Sequence, residues 1–162
     1  MTVRMEIKGL MLDPVSNMPI VVLRDPDNKV FLPIWVGVFE ANAIALQIEN
    51  VQTPRPMTHD LLRSVIDSFH GSVERIVIDG LRESTFFAKI YLSCEGNPRI
   101  IDCRPSDAIA LALRTSAPIF VEDEVLKAAQ LRESGGPSGD EGESIRRQLE
   151  EMNIEELGKY KM

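Results

Sequence analysis

The residues best equipped for chemistry in this chain sit where extended runs give way to helices. Ile101-Asp102-Cys103-Arg104-Pro105-Ser106-Asp107 is the richest such junction. In a strand, residues i and i+2 share a face, so Asp102 and Arg104 should emerge together with Cys103 opposite. A helix beginning near Ser106 offers unpaired N–H groups, with Asp107 beside them. Together these groups suit a phosphate. Arg104 supplies a bidentate clamp, Ser106 and the helix end supply donors, and Asp102 and Asp107 supply ligands for a divalent cation such as Mg²⁺ or Mn²⁺. The competing reading is structural: Asp102 pairs with Arg104, Ser106 caps the helix, and Asp107 answers the helix dipole.

Two further groups lie at equivalent junctions. His59 falls in the first turn of a helix that follows Arg55. Imidazole is the side chain best suited to proton transfer near neutral pH, so His59 as general base with Arg55 on phosphate is a workable nuclease arrangement. Read structurally, Thr58 caps this helix, Asp60 favours its dipole, and His59 packs locally. Glu40 begins another helix, either as a catalytic carboxylate or as the acid that helix starts prefer. Trp35 has no basic neighbours and reads as core or interface. The sequence contains no Walker loop, dinucleotide-binding glycine pattern, His-Glu-x-x-His or Gly-x-Ser-x-Gly.

The elements that must carry these groups are legible from period and punctuation. Residues 3–12 and 18–24 read as strands, and Asp25-Pro26-Asp27-Asn28 is a turn leading to a third strand at 29–36. Helices are expected at 38–50 and 59–69, the second ending at His70-Gly71 with Gly71 as the terminating residue. Strands follow at 72–81, 85–93 and 98–103, with turns at Glu83-Ser84 and Gly96-Asn97. Helices at 106–115 and 123–132 flank a short extended piece, Pro118–Val121. Ala-Ile-Ala-Leu recurs at 43–46 and 108–111, and Thr58 and Asp123 stand at the same offset. The expectation is an α+β fold made of duplicated β-β-β-α-α units related by a pseudo-twofold, with a mostly antiparallel sheet covered by helices. Residues 1–133 form the domain, 134–142 a flexible Gly/Ser-rich linker, and 143–162 an acidic helical tail with Ile145, Leu149, Met152 and Leu157 on one face.

Charge and composition narrow the function. The 162 residues carry a net charge of −7, which argues against binding nucleic acid through a broad basic field. The absence of long apolar runs and of an apolar leader points to a cytoplasmic protein without a membrane span. Cys94 and Cys103 form no metal or redox motif and read as reduced, buried thiols. Exposed strand edges and the apolar stripe of the tail favour a homodimer or higher homo-oligomer.

Four ordered stretches carry a family resemblance: Leu32-Pro-Ile-Trp-Val-Gly37, Glu40-Ala-Asn-Ala-Ile-Ala-Leu46, Pro54-Arg-Pro-Met-Thr-His-Asp-Leu-Leu62 and Arg104-Pro-Ser-Asp-Ala-Ile-Ala-Leu-Ala-Leu-Arg114. Across about residues 3–130 the chain resembles the bifunctional nuclease domain family. Cys103 departs from the alanine common at its position. The resemblance implies a repeated β-β-β-α-α fold and hydrolysis of DNA and RNA, with nucleic acid as the partner. Without it, the same junctions also suit a non-catalytic domain that recognises a small anion or a protein.

Overall fold

The computed structural model describes residues 1–135. The elements run β1 (Thr2–Leu12), β2 (Pro19–Arg24), β3 (Phe31–Trp35), α1 (Val38–Ile48), α2 (Thr58–Ser68), β4 (Gly71–Arg82), β5 (Thr85–Cys94), β6 (Asn97–Cys103), α3 (Pro105–Thr115), β7 (Ile119–Glu122) and α4 (Asp123–Gly135). Of the linker expected at 134–142, residues 134 and 135 end α4; the remainder and the helical tail expected at 143–162 lie outside the described residues. No described helix is long and apolar enough to cross a membrane.

The strands form one sheet in the order β3-β2-β1-β7-β4-β5-β6. Every neighbouring pair is antiparallel except β4 with β7. The mixed α+β class and the mostly antiparallel sheet are therefore as expected. The short piece after α3 is a true strand: β7 pairs with β1 and β4 and joins the two halves of the sheet. The first half has no strand between α1 and α2, so the second half departs there from a simple β-β-β-α-α order.

Turn chemistry explains the hairpins. Asn28 takes the left-handed conformation, while Asp25 accepts the backbone N–H groups of Lys29 and Val30 at 2.7 and 2.8 Å. Glu83 and Ser84 both have positive φ, as the two-residue turn between β4 and β5 requires. At the end of α2, His70 rather than Gly71 adopts the left-handed conformation, and Gly71 starts β4.

One face of the sheet supplies the main core. Val21, Leu23, Ile34, Ile76, Ile78 and Ile90 meet buried residues of α1, α3 and α4 there. The alanines of α1 and α3 (Ala41, Ala45, Ala108, Ala112) are buried where these helices pack together. Small side chains permit that close approach, as their spacing suggests. By contrast, α2 buries only His59 fully. Its stripe Met57, Leu61, Val65 and Phe69 is exposed, so this helix is held by particular side chains rather than by a broad apolar face.

Candidate functional site

Three helices begin close together, and their first turns meet through side chains. Glu40 is the third residue of α1, His59 the second of α2 and Asp107 the third of α3. Arg104 precedes α3 in extended conformation, and Pro105 opens the helix. The Arg104 guanidinium donates Nε–H to Asp107 Oδ2 at 2.9 Å, Nη2–H to Asp107 Oδ1 at 3.2 Å and Nη1–H to Glu40 Oε1 at 2.9 Å. His59 Nε2 lies 2.9 Å from Asp107 Oδ1. Glu40, His59, Arg104 and Asp107 therefore form one continuous polar cluster.

Protonation follows from this geometry. Burial by itself would raise the Asp107 pKa, but Arg104 and His59 outweigh burial and hold it below the ordinary value of 3.8. An ionised carboxylate only accepts hydrogen bonds, so His59 Nε2 must carry a proton. Neutral His59 is then left with an unprotonated Nδ1. Its side chain is only 10% exposed, whereas that of Arg104 is 65% exposed. Three of the five guanidinium N–H groups are engaged within the cluster, which leaves two for a ligand. Two carboxylates against one guanidinium give the cluster one net negative charge when His59 is neutral. The positive ends of three helices offset that charge.

Gly37, the residue before α1, is essential to this packing. A Cβ there would collide with Glu40 Oε2, so the glutamate carboxylate folds back over bare backbone. No local pattern marks this use of Gly37.

The other expected site residues fall elsewhere. Asp102 and Cys103 do point to opposite faces: Cys103 packs against the core, and Asp102 stands opposite Lys89 on the far face. Arg104 does not join Asp102. Strand alternation ends with β6 at Cys103, and the chain turns so that Arg104 reaches α1. Ser106 is buried and makes no capping bond, and Arg104 rather than Ser106 occupies the cap position. Likewise Met57, not Thr58, precedes α2, where its N–H donates to Asp60 Oδ2 at 2.9 Å. Arg55 lies on the exposed loop before α2 and lines a shallow hollow of about 330 Å³ with Met57, Asp60 and Arg114. Trp35 donates its indole N–H to Asp13 at 2.9 Å.

Among the described residues, no group of three or more His, Cys, Asp or Glu side chains is arranged to hold a metal ion. Both Asp107 oxygens face cationic partners, and Asp102 lies on the other face of the sheet. The structure therefore does not bring together Asp102 and Asp107, the two carboxylates expected to share a cation. Cys103 is no nucleophile either. Burial first, then the charges of Asp107, Asp102 and Asp79, push its thiol up to about 12.

Sequence reasoning missed Arg114. Its side chain is 3% exposed, and it donates to Asp60 Oδ1 at 2.7 Å, to the Ala110 carbonyl at 2.9 Å and to the Ala43 carbonyl at 3.0 Å. This one residue ties α3 to both α1 and α2. Asp60 is in turn held below 3.8, first by the Met57 N–H and, against the opposing effect of burial, by Arg114. The available signal was an arginine ending the apolar run Ala108–Leu113.

A sequence model of the bifunctional nuclease domain family matches residues 21–134. An uncharacterized protein of Mycobacterium tuberculosis is 40% identical over 125 residues, 77% of this chain and 74% of that protein. Bifunctional nuclease 1 of Arabidopsis thaliana is 31% identical over 107 residues, covering 64% of this chain but 33% of the plant protein. Bifunctional nuclease 2 of Oryza sativa subsp. japonica is 31% identical over 118 residues, 70% of this chain and 36% of that protein. The family match spans all three helix starts that bear Glu40, His59, Arg104 and Asp107, and with it the chain belongs to the bifunctional nuclease domain family.

Proposed function

We propose that the chain is a nuclease that hydrolyses phosphodiester bonds in DNA and RNA at the Glu40–His59–Arg104–Asp107 cluster. The observation that carries this reading is the convergence of three helix first turns on one exposed guanidinium. The two outward N–H groups of Arg104 suit the non-bridging oxygens of a phosphate, where negative charge grows in the transition state. Glu40 and Asp107 fix the plane of the guanidinium. His59 Nδ1 accepts a proton from the attacking water, and Asp107 stabilises the resulting imidazolium through Nε2–H. The new P–O bond forms as the ester P–O bond breaks, and the imidazolium returns its proton to the departing alkoxide. Because water is the nucleophile, no 2′-hydroxyl is needed, which fits both DNA and RNA. Arg55, four residues before His59 on an exposed loop, would meet a neighbouring phosphate.

A second reading has its own support. The charges of the cluster are satisfied internally, and His59 is nearly closed off. A rigid cluster of this kind also suits recognition of a small anion without chemistry. Nuclease assays on rigorously purified protein separate the two, with single-stranded DNA and RNA, with and without Mg²⁺ or Mn²⁺, beside His59→Asn and Arg104→Ala. Cleavage lost in both variants supports the enzyme; oligonucleotide binding without cleavage in the wild type supports the binder.

We also propose that the protein self-associates. The exposed apolar stripe of α2 supports this, since Met57, Leu61, Val65 and Phe69 lie at successive i+4 positions with no covering element among the described residues.

A further inference from the structure

None of the described helices packs on the second face of the sheet, where Met11, Ile20 and Val22 are buried beside Phe31 and Val77 is 4% exposed. In β4 and β5, Ile76, Ile78, Ala88 and Ile90 point into the helix-covered core. The alternate residues Arg75, Phe87, Lys89 and Tyr91 therefore point the other way. The buried alanine, valine, leucine and isoleucine side chains of α1, α3 and α4 join the core of the first face.

On the open face, aromatic rings and cations are interleaved. The Arg75 guanidinium lies 4.2 Å from the Tyr91 ring centre, and that of Arg82 lies 5.4 Å from Phe87. Lys89 bonds Asp79 at 2.7 Å. Ile100, opposite Tyr91 on edge strand β6, is 59% exposed. Across β4–β6 three cations (Arg75, Arg82 and Lys89) face three carboxylates (Glu74, Asp79 and Asp102), so this area is neutral on a chain of net charge −7, and its two guanidinium groups lie over rings rather than in ion pairs. Alternate residues along β5 stand about 6.6 Å apart, which gives each ring its own separate contact.

We propose that this face of β4–β6 is a platform for single-stranded nucleic acid. Bases stack on Tyr91 and Phe87 or on the guanidinium planes above them, and phosphates meet Arg75 and Arg82. Such a strand leads over the β6 edge toward Arg104, which follows that strand directly. The path to Arg104 rests on the nuclease reading; the platform itself does not. A duplex keeps its base faces stacked internally and would rely on a broad basic field that this acidic chain lacks. A second copy would set the Arg75 and Arg82 guanidinium groups against those of its mate.

The test is equilibrium binding of a fluorescein-labelled 12-nucleotide oligodeoxythymidine to the full chain, by anisotropy in EDTA, beside a duplex of equal length. The expected result is a clear preference for the single strand. Tyr91→Ala and Phe87→Ala should each weaken binding about tenfold. Arg75→Gln should reduce the salt dependence by about one unit of slope. Tyr91→Leu, which keeps an apolar residue in the strand, should lose affinity with an unchanged melting temperature. Equal binding of duplex and single strand overturns the proposal, as does wild-type affinity in both Tyr91→Leu and Arg75→Gln. Conversion of an oligomer to monomer with oligonucleotide affinity intact assigns the face to a second copy and overturns it too. If Arg104→Ala stops hydrolysis while platform binding persists, the two sites are distinct; if no hydrolysis is found at all, the binding results still decide the platform.

Discussion

Arg104 and Arg114 lie ten residues apart at the two ends of α3, and replacing each with alanine should have opposite consequences. The Arg104 side chain is 65% exposed and makes its ion pairs at the surface. Exposed pairs contribute about 0.2–1 kcal/mol each, so Arg104→Ala should cost on the order of 1 kcal/mol. In a chain of this size that lowers Tm by about 2–4 °C. The Arg114 side chain is 3% exposed, and its bonds join three helices. Breaking a buried pair by removing one partner costs about 3–5 kcal/mol, so Arg114→Ala should lower Tm on the order of 10 °C. Activity should run the other way. Losing a donor to developing phosphate charge costs about 10²–10³ in kcat, so Arg104→Ala should be nearly inactive although well folded. Arg104→Lys should fare little better, because an ammonium cannot reproduce the planar fork that reaches Glu40 and Asp107 together. Arg114→Ala, assayed well below its Tm, should keep most of its activity per folded molecule. Differential scanning calorimetry beside initial-rate hydrolysis reads both quantities. The reasoning is refuted if Arg104→Ala unfolds the protein while its folded remnant stays fully active, or if Arg114→Ala melts with the wild type.

Other outcomes follow from the same geometry. The carboxyl groups of Asp107 and Asp60 are held below 3.8, so their contribution to stability is complete above about pH 4 and is lost as pH falls through their depressed values. Thermal melts from pH 7 to pH 2 should show Tm dropping at the acid end, and Asp107→Asn should make that drop shallower; a drop of unchanged steepness contradicts the assignment. Gly37→Ala should fold normally, because the obstructing atom is the mobile end of Glu40, yet it should expel Glu40 from Arg104 and reduce activity to the level of Glu40→Gln. Full activity in Gly37→Ala would show that the Glu40 contact is dispensable. Light scattering at micromolar concentration should find an oligomer that Leu61→Asp or Phe69→Asp dissociates; a wild-type monomer ends the case for self-association through α2.

The sequence made the local features legible. Turn residues marked the hairpins at Asp25–Asn28 and Glu83-Ser84, and the four clustered side chains were all recognised at helix starts. What it concealed was who meets whom. Alternation predicts a shared face for Asp102 and Arg104, but that rule holds only while the chain stays a strand, and β6 ends between them. The bond from His59 to Asp107 spans 48 positions, and that from Arg104 to Glu40 spans 64. Such pairs depend on how α1 and α3 pack, which no local pattern encodes. β7 has only four residues, too few for a clear period, and its identity comes from partners on both sides. Arg114 drew no notice because its acceptors, a carboxylate and two carbonyls, come from three separate helices.

The central claim is that the cluster performs hydrolysis with His59 as the base and Arg104 on phosphate. Its most direct test is the rate of single-stranded DNA cleavage by purified wild type and by His59→Asn, Arg104→Ala and the double variant, each verified as folded. The account predicts measurable wild-type cleavage, losses of about 10²–10³ in each single variant, and a double variant scarcely worse than either, since the two residues act as one unit. Wild-type rates in either single variant, or losses in the double variant equal to the product of the two single losses, would contradict it.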